Sequence, residues 1–478
     1  MNAGARTAAP PLVVDLDGTL IRGDLLHESA LKLLKVAPLS ALSMPLWLAS
    51  GKAVLKRRIA EQVSIDTALL PYDPEVLELL RTEREAGRHI VLCTASDERY
   101  AHEVARHLAL FDEVIASDGR ENVSSSRKAD RLVDRFGEGG FDYAGNSHDD
   151  LAVWRRARRA IVVRASASVR AEVSRTVQVE REIGRTGAGL LTWVRAIRLH
   201  QWMKNLLVLL PLAASFKLGQ PGLLVDALVA FVAFGLCASS VYILNDLMDL
   251  ESDRAHPRKR LRPFAAGDLP APAGIGVALA MLCMAVALAS TVRPAFLGWL
   301  GVYFAGTLAY TFFLKSKVIV DCIALGGLYT LRVIAGSAAA TLPLSFWFLA
   351  FSLFLFLSLA FLKRFSELRT LVQAGREDSR GRGYLASDLP IVQSMGIASG
   401  FASVLVLALY INGDTVLRLY SRPEWLWLTV PVHLYWVSRM WMQAQRGNMH
   451  DDPVLFALKD RYSVFCGVLF ALTMLAAR

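Results

Sequence analysis

"NDLMDLESDRAHPRKRLRP" (residues 245–263) interrupts a long run of apolar sequence. Acids stand at 246, 249, 251 and 253, Arg and Lys follow between 254 and 262, and hydrophobic stretches flank the segment on both sides. From about residue 205 onward, apolar stretches of 16–22 residues recur, separated by short charged or Gly/Pro breaks. Each is long enough to cross a bilayer core of ~30 Å as a helix. The pattern predicts nine spans, at 204–219, 222–243, 272–292, 295–314, 318–340, 344–362, 391–411, 424–442 and 463–477. Residues 1–195 read instead as a water-soluble sequence rich in Arg, Asp and Glu. The mean hydropathy of +0.37 over 478 residues therefore averages a soluble part and an oily one.

A net charge of +10 invites a nucleic-acid reading, but the basic residues collect in particular loops. With nine spans and a cytoplasmic soluble part, the loops at 244–271, 315–317, 363–390 and 443–462 lie inside and carry most of the Lys and Arg of the membrane half. The opposite loops hold only Arg293, Arg418 and Arg422. That asymmetry follows the positive-inside rule. The expected location is the inner (cytoplasmic) membrane, multi-pass, with no nucleic-acid partner. Residues 1–11 lack the apolar segment of a secretory signal. The five cysteines are scattered without metal-ligand spacing and read as reduced core residues.

Charges at the ends of spanning helices are expensive and mark functional sites. Asn245, Asp249 and Asp253 fall at i, i+4 and i+8, so a helix would carry them as one polar stripe. Carboxylates in a row need cations, and Mg²⁺ favours carboxylate and phosphate oxygens together, so the stripe reads as a Mg²⁺-diphosphate site. Behind it, His256, Arg258, Lys259, Arg260 and Arg262 suit phosphate oxygens. A plain basic loop would account for the cations but not for the acids. Further polar groups cluster at Lys204 and Asn205, at Tyr310, Lys315, Asp321 and Arg332, and at Lys363, Arg364 and Glu367. Gly326, Gly327 and Gly336 would let helices approach closely.

In the soluble part, "PLVVDLDGTLIRGD" (11–24) is a buried strand running into an acidic turn. Asp15 and Asp17, two apart, point the same way from an extended backbone and call for a cation between them. "RHIVLCTAS" (88–96) is a second strand, ending in hydroxyls, and Lys128 opens an amphipathic helix. "FDYAGNSHDDLAVW" (141–154) is a strand followed by an Asn/Asp-rich turn. Strands alternating with helices imply a parallel sheet with ligands at its carboxyl edge.

These four elements, in this order, resemble the haloacid dehalogenase (HAD) phosphatase superfamily. The resemblance implies a parallel α/β domain over residues 10–170, with a helical cap at 24–80 and a linker at 171–195. It implies Asp15 as nucleophile, Asp17 as general acid/base, Thr94 on a phosphate oxygen, Lys128 neutralising the phosphoryl group, and Mg²⁺ held by Asp15, Asp17, Asn146 and Asp150. Asn146 departs from the family's usual Asp, and Asp149 stands nearby to compensate. The alternative is a non-catalytic HAD domain kept for docking.

The motif N-D-x-x-D-x-x-x-D from Asn245, in a many-span chain, resembles the UbiA prenyltransferase superfamily over about 190–478 (membrane domain 196–478). That resemblance implies an all-α bundle of about nine spans and a second Mg²⁺ held by Asn245, Asp249 and Asp253. R-x-x-Q-W-x-K-N at 198–205, D-x-x-H-P-x-K-R-x-R-P at 253–263 and K-R-x-x-E at 363–367 are similar to the polyprenyl-phosphate phosphoribosyltransferase branch. Its members take phosphoribosyl pyrophosphate (PRPP) and a polyprenyl phosphate. Lys204, Asn205, His256, Lys259, Arg260, Arg262, Tyr310, Lys315, Arg332, Lys363, Arg364 and Glu367 would then bind substrate. The other reading is a prenyltransferase acting on an aromatic or quinone precursor. It expects a second D-x-x-x-D motif, which the region after the fifth and sixth spans does not carry.

Overall fold

The structure is a computed structural model, describing residues 9–184, 189–373, 375, 383–413, 416, 420–449 and 452–478. It divides into two compact units, Met1–Ile197 with Tyr242–Val277, and Arg198–Val241 with Ala278–Arg478.

The first unit is built on a six-stranded, all-parallel sheet: β1 (Leu12–Val14), β2 (Ile90–Asp97), β3 (Glu113–Ser117), β4 (Asp142–Gly145), β5 (Arg159–Val163) and β6 (Gln178–Ile183), in the order β3-β2-β1-β4-β5-β6. β1 is central and buried on both faces: Leu12 and Val14 enter one apolar core and Val13 the other. Such two-sided burial is why PLVV is continuously apolar rather than alternating. The chain leaves β1 between β2 and β4, the point where strand order reverses and where α/β sheets open a crevice at their carboxyl edge. Residues 178–183, expected as linker, are the edge strand β6. Its polar sequence, QVEREI, is mostly exposed and carries no hydrophobic signal.

Of residues 24–80, expected as cap, α1 (Leu25–Val36), α2 (Pro38–Ala41), α3 (Met44–Ala49) and α4 (Lys52–Gln62) form the helical cap insertion, whereas Ile65, Leu70, Val76, Leu79 and Leu80 join the core against the sheet. Asp24 caps α1 by accepting the His27 amide at 3.0 Å. Leu33, Leu55, Ile59 and Val63 give the cap a small core of its own. The same unit contains the end of the helix Pro221–Met248, the charged turn after it and the start of the helix Ala271–Val292. The cap holds this segment through Arg254–Glu28 (2.7 Å), Lys32–Glu251 (2.6 Å) and Lys35–Asp249 (2.7 Å).

The second unit is helical. Val333, Phe356, Phe361, Phe365 and Trp441 belong to its main core. A side chain at Gly336 would collide with the Val208 carbonyl, so glycine lets Val320–Ala339 pack directly on the 199–208 backbone.

Over the whole chain, six helices among the described residues are long and apolar enough to cross a membrane, not the nine expected: Pro221–Met248, Ala271–Val292, Pro294–Leu314, Val320–Ala339, Phe346–Gln373 and Ala386–Ile411. The expected first span is 3-10 turns over Leu199–Val208 followed by a short helix, Leu210–Ala214, with Pro211 in its first turn. The expected eighth divides into Pro423–Leu428 and the 17-residue Thr429–Gln445. The ninth is an apolar helix of 17 residues, Arg461–Ala477. Hydropathy registers apolar content but not breaks in the helical hydrogen-bond ladder, which is where the first and eighth expectations failed; the ninth is unbroken and falls short in length. Four cysteines are buried, but Cys283 is exposed on a candidate span. Arg418 lies outside the described residues.

Candidate active sites

In the first unit the acids converge at the carboxyl ends of β1 and β4. Asp15 follows β1, with its amide donating to the Ala144 carbonyl at 3.0 Å. The Lys128 Nζ donates to Asp15 Oδ1 (2.7 Å) and to the Tyr143 hydroxyl (2.9 Å), and lies 3.5 Å from Asp150 Oδ1. Tyr143 in turn donates to Asp150 Oδ1 at 2.6 Å. The other Asp150 oxygen accepts the Asn146 amide, the Ser147 amide and the Ser147 hydroxyl, each at 3.0 Å. Burial pushes the Asp15 carboxyl up to about 6 against the pull of Lys128. For Asp150 burial also acts upward, but Lys128, Tyr143 and the two amides outweigh it and lower its pKa.

Asp17 accepts the Leu25 amide (2.8 Å) and the Ser96 hydroxyl (2.6 Å). Burial and the neighbouring Asp24 push it up to about 7. An acid with that value can both give and take a proton near neutrality. Gly18 (φ +76°) turns the chain after Asp17. A Cβ there would strike the Asn146 side chain, so the glycine brings Asn146 against the acidic turn.

Thr94 is fully buried on β2, its Oγ1 accepting the Ser96 amide at 3.0 Å. Ala95 and Ser96 face the cleft instead, and Asp149 also lines it. Sequence reasoning missed Ser96, Tyr143 and Lys56. The Lys56 Nζ, on α4, reaches in to donate to the Ala95 carbonyl (2.6 Å) and Asn122 Oδ1 (2.9 Å), and burial lowers its pKa. Only the strand-end hydroxyls signalled any of these in the sequence.

The charged turn is arranged differently. Asn245 and Asp246 lie in the last turn of Pro221–Met248, and Asp249 begins the short helix Leu250–Arg254. Arg262 Nη1 bridges Asp246 (3.1 Å) and Asp253 (2.6 Å). Asp249 is held by Lys35 from α1. Burial raises the Asp253 pKa, with Arg262 opposing. Asp246, buried inside the motif beside Asn245, belongs with the stripe although the spacing argument passed over it. His256 accepts the Arg258 and Lys259 amides through Nδ1, at 3.2 and 3.4 Å, and burial and Lys259 lower its pKa. Lys259 and Arg260 form a 3-10 turn with Leu261.

In the second unit, the Lys204 Nζ donates to Asp452 Oδ2 at 2.5 Å, and Lys363 Nζ lies 3.6 Å from the same oxygen. Tyr329 donates to that carboxylate at 3.3 Å. Burial acts to raise the Asp452 pKa, but the two lysines hold it well below the usual carboxylate range. Arg332 donates to Asn205 Oδ1 (3.0 Å) and the Tyr303 hydroxyl (2.8 Å) and lies over the Tyr303 ring. The Asn205 Nδ2 is buried with no hydrogen-bond partner among the described residues. Arg364 is buried between Asp321 and Glu367, and Tyr384 donates to Asp321 at 2.6 Å. Tyr310 opens a π-helical turn, and the Lys315 amide after it donates to the Tyr310 carbonyl at 3.0 Å.

Among the described residues no three Asp, Glu, His or Cys side chains form a ready metal cage. Mg²⁺ characteristically takes one or two carboxylates and completes its shell with water and phosphate. Two places supply such oxygens: Asp15 with Asp150 beside Asn146, and Asp246 with Asp253, which share one guanidinium nitrogen. Hard oxygen donors in pairs fit the ion.

Residues 207–469 match the model of the UbiA prenyltransferase family, and residues 12–155 that of haloacid dehalogenase-like hydrolases. The uncharacterized protein y4nM of Sinorhizobium fredii is 36% identical over 464 residues, which are 96% of this chain and 90% of that one. The decaprenyl-phosphate phosphoribosyltransferase of Mycobacterium tuberculosis is 40% identical over 290 residues, covering 59% of this chain and 93% of that one. A solved structure of a UbiA homolog from Archaeoglobus fulgidus bound to GPP and Mg²⁺ aligns with a TM-score of 0.46 at 16% identity, over 60% of this chain and 99% of that one.

Proposed function

This chain belongs to the UbiA prenyltransferase family and carries a haloacid dehalogenase-like domain, and from that premise we propose a membrane enzyme with two successive activities. The membrane domain transfers 5-phosphoribosyl from PRPP to a polyprenyl phosphate, and the HAD-like domain then removes the 5-phosphate. The observation that carries the first activity is the meeting of Lys204 and Lys363 on Asp452. Residues far apart in sequence pool two ammonium groups around one acid, and Arg332 adds a third cation within the same unit. A donor with a 5-phosphate as well as a diphosphate uses more cations than a prenyl diphosphate does. The relative named as a decaprenyl-phosphate phosphoribosyltransferase supports the same reading.

In the transfer, a polyprenyl phosphate oxygen attacks C1 of the ribose, the C1–O bond to diphosphate breaks, and diphosphate leaves. Orientation and charge neutralisation carry the step, with no covalent enzyme intermediate. Asp246, Asp249 and Asp253, with Asn245, are the oxygen donors for a cation on the diphosphate. In the phosphatase, an Asp15 oxygen attacks phosphorus while Asp17 gives its proton to the departing sugar oxygen. Water then attacks the phosphorus of the aspartyl-phosphate and gives a proton to Asp17, the Asp15 oxygen leaves, and phosphate is released. Lys128 neutralises the phosphoryl oxygens throughout. Bound Mg²⁺, held by Asp15, Asp150 and Asn146 here and by the acid stripe in the membrane domain, would add charge neutralisation at each phosphate. Soluble PRPP, and the hold of the cap on the basic turn that starts at Arg254, support a cytoplasmic position for the HAD-like domain.

The test is incubation of the purified full chain with labelled PRPP, Mg²⁺ and a polyprenyl phosphate. Label should appear in lipid, and phosphate should be released from that lipid. Failure with PRPP, together with transfer from a prenyl diphosphate to an aromatic acid, overturns the proposal.

A further inference from the structure

The cap presents an apolar surface that its own core does not use. Leu39, Leu42 and Leu46, spaced 3 and 4 apart along Pro38–Ala49, are 82%, 75% and 71% exposed. Val36 and Leu48 extend the patch. A run of exposed apolar side chains along two short consecutive helices and the turn between them marks an interaction site, and its position in the fold indicates the partner. The Lys35 Nζ, at the end of α1, donates to the Met248 carbonyl at 3.0 Å and to Asp249 at 2.7 Å. Met248 is the last residue of a helix long and apolar enough to span a membrane. Residues 36–48 therefore follow a residue tied to the end of that candidate span, and the end of a span is the depth at which an amphipathic segment lies in the plane of a bilayer. Exposed Lys52, just beyond the patch on α4, suits anionic headgroups.

The same segment borders the phosphatase cleft. Met44 and Leu48 line a cavity of about 1170 Å³ that runs from Asp15 and Lys128 to Leu247, Phe264 and Ala271. Ala271 opens the next candidate span. The lining of the cleft thus joins the charged groups around Asp15 to apolar residues at span termini and on the cap, with Arg22 and Asp268 among them.

We infer that the 36–48 segment of the cap inserts into the lipid surface, and that the HAD-like site takes phosphomonoesters carried on a lipid rather than soluble ones. The choice of substrate rests on the phosphatase reading above; the insertion does not. A second copy of the chain is the competing occupant of the patch.

The experiment places a spin label at position 39, 42 or 46 of the full chain in phospholipid nanodiscs, on a Cys283→Ala background, with Arg58→Cys as the reference. Labels at the three leucine positions should collide with oxygen in preference to a water-soluble nickel chelate, and the label at 58 should do the reverse. Free access of the chelate to positions 39, 42 and 46 overturns the insertion, as does spin–spin broadening from a second copy. In parallel, the triple variant Leu39→Ser, Leu42→Ser, Leu46→Ser should keep hydrolysis of p-nitrophenyl phosphate within about twofold while losing about tenfold on the lipid product accumulated by the Asp15→Asn chain. Equal change on both substrates, or none on either, overturns the lipid preference. If the native chain hydrolyses neither, the phosphatase reading and the substrate choice fail together, and the collision data still decide the insertion.

Discussion

Asp15, Asp17 and Asp150 stand at the carboxyl ends of strands, whereas Asp246, Asp249 and Asp253 stand at the end of a helix and in the turn after it. The first set is positioned by backbone: amides hold Asp17 and Asp150, and one lysine serves Asp15 and Asp150 together. The second set is positioned by side chains, with Arg262 across two acids and Lys35 on the third. Strand-end acids are preorganised for a developing charge. The acids of the turn are latched, and any cation that joins them competes with a guanidinium or an ammonium already in place. The two sites should therefore respond to substitution in different ways.

The largest separation comes from Asp15→Asn. Phosphate release should fall on the order of 10⁴-fold, as for loss of a nucleophile, while transfer from PRPP to lipid is unchanged. A parallel loss of transfer would break the distinction between the sites. Asp246→Asn should do the converse: transfer should fall on the order of 10²-fold or more, with p-nitrophenyl phosphate hydrolysis retained. Retention of full transfer by Asp246→Asn would remove that residue from the site.

The contrast also explains what the sequence disclosed. The strand-end acids were legible because a parallel sheet converts linear spacing into position: Asp15, Lys128 and Asp150 each follow a recognisable element and converge at one edge. Lys56 was not, because it arrives from the cap and its pattern is that of an ordinary basic helix. Asp452 was not, because its partner Lys204 lies 248 residues away. Its one local cue is the Asp-Pro pair that starts the helix Pro453–Lys459. The six long spans were legible as apolar runs. The breaks within 204–219 and 424–442 lie in hydrogen bonding and proline placement rather than in composition.

A smaller effect separates the strand-end acids from one another. Asp17 must be protonated to release the leaving group, so kcat/KM should fall as pH rises through its value of about 7. The Ser96 hydroxyl favours the carboxylate and pulls that value down. Ser96→Ala should therefore move the falling limb to higher pH, at a cost of a few-fold in rate. The pH profile of phosphate release from glycerol 2-phosphate, whose alkoxide leaving group requires the proton, is the measurement, and an unmoved limb would take Asp17 out of the proton-transfer role.

The smallest effect tests the latch itself. Lys35 and Asp249 are partly exposed, and such pairs are worth about 0–1 kcal/mol. Lys35→Ala removes one ammonium that competes for Asp249, so the Mg²⁺ concentration that half-saturates transfer should drop by up to about fivefold. Lys32→Ala is the matched control: it removes a cap contact of similar geometry, but to Glu251, which is outside the stripe. If both variants shift the Mg²⁺ requirement equally, the lysines only dock the cap. If only Lys35→Ala shifts it, the ammonium occupies a place that a cation needs, and the cap bears on the transfer reaction through Asp249 alone.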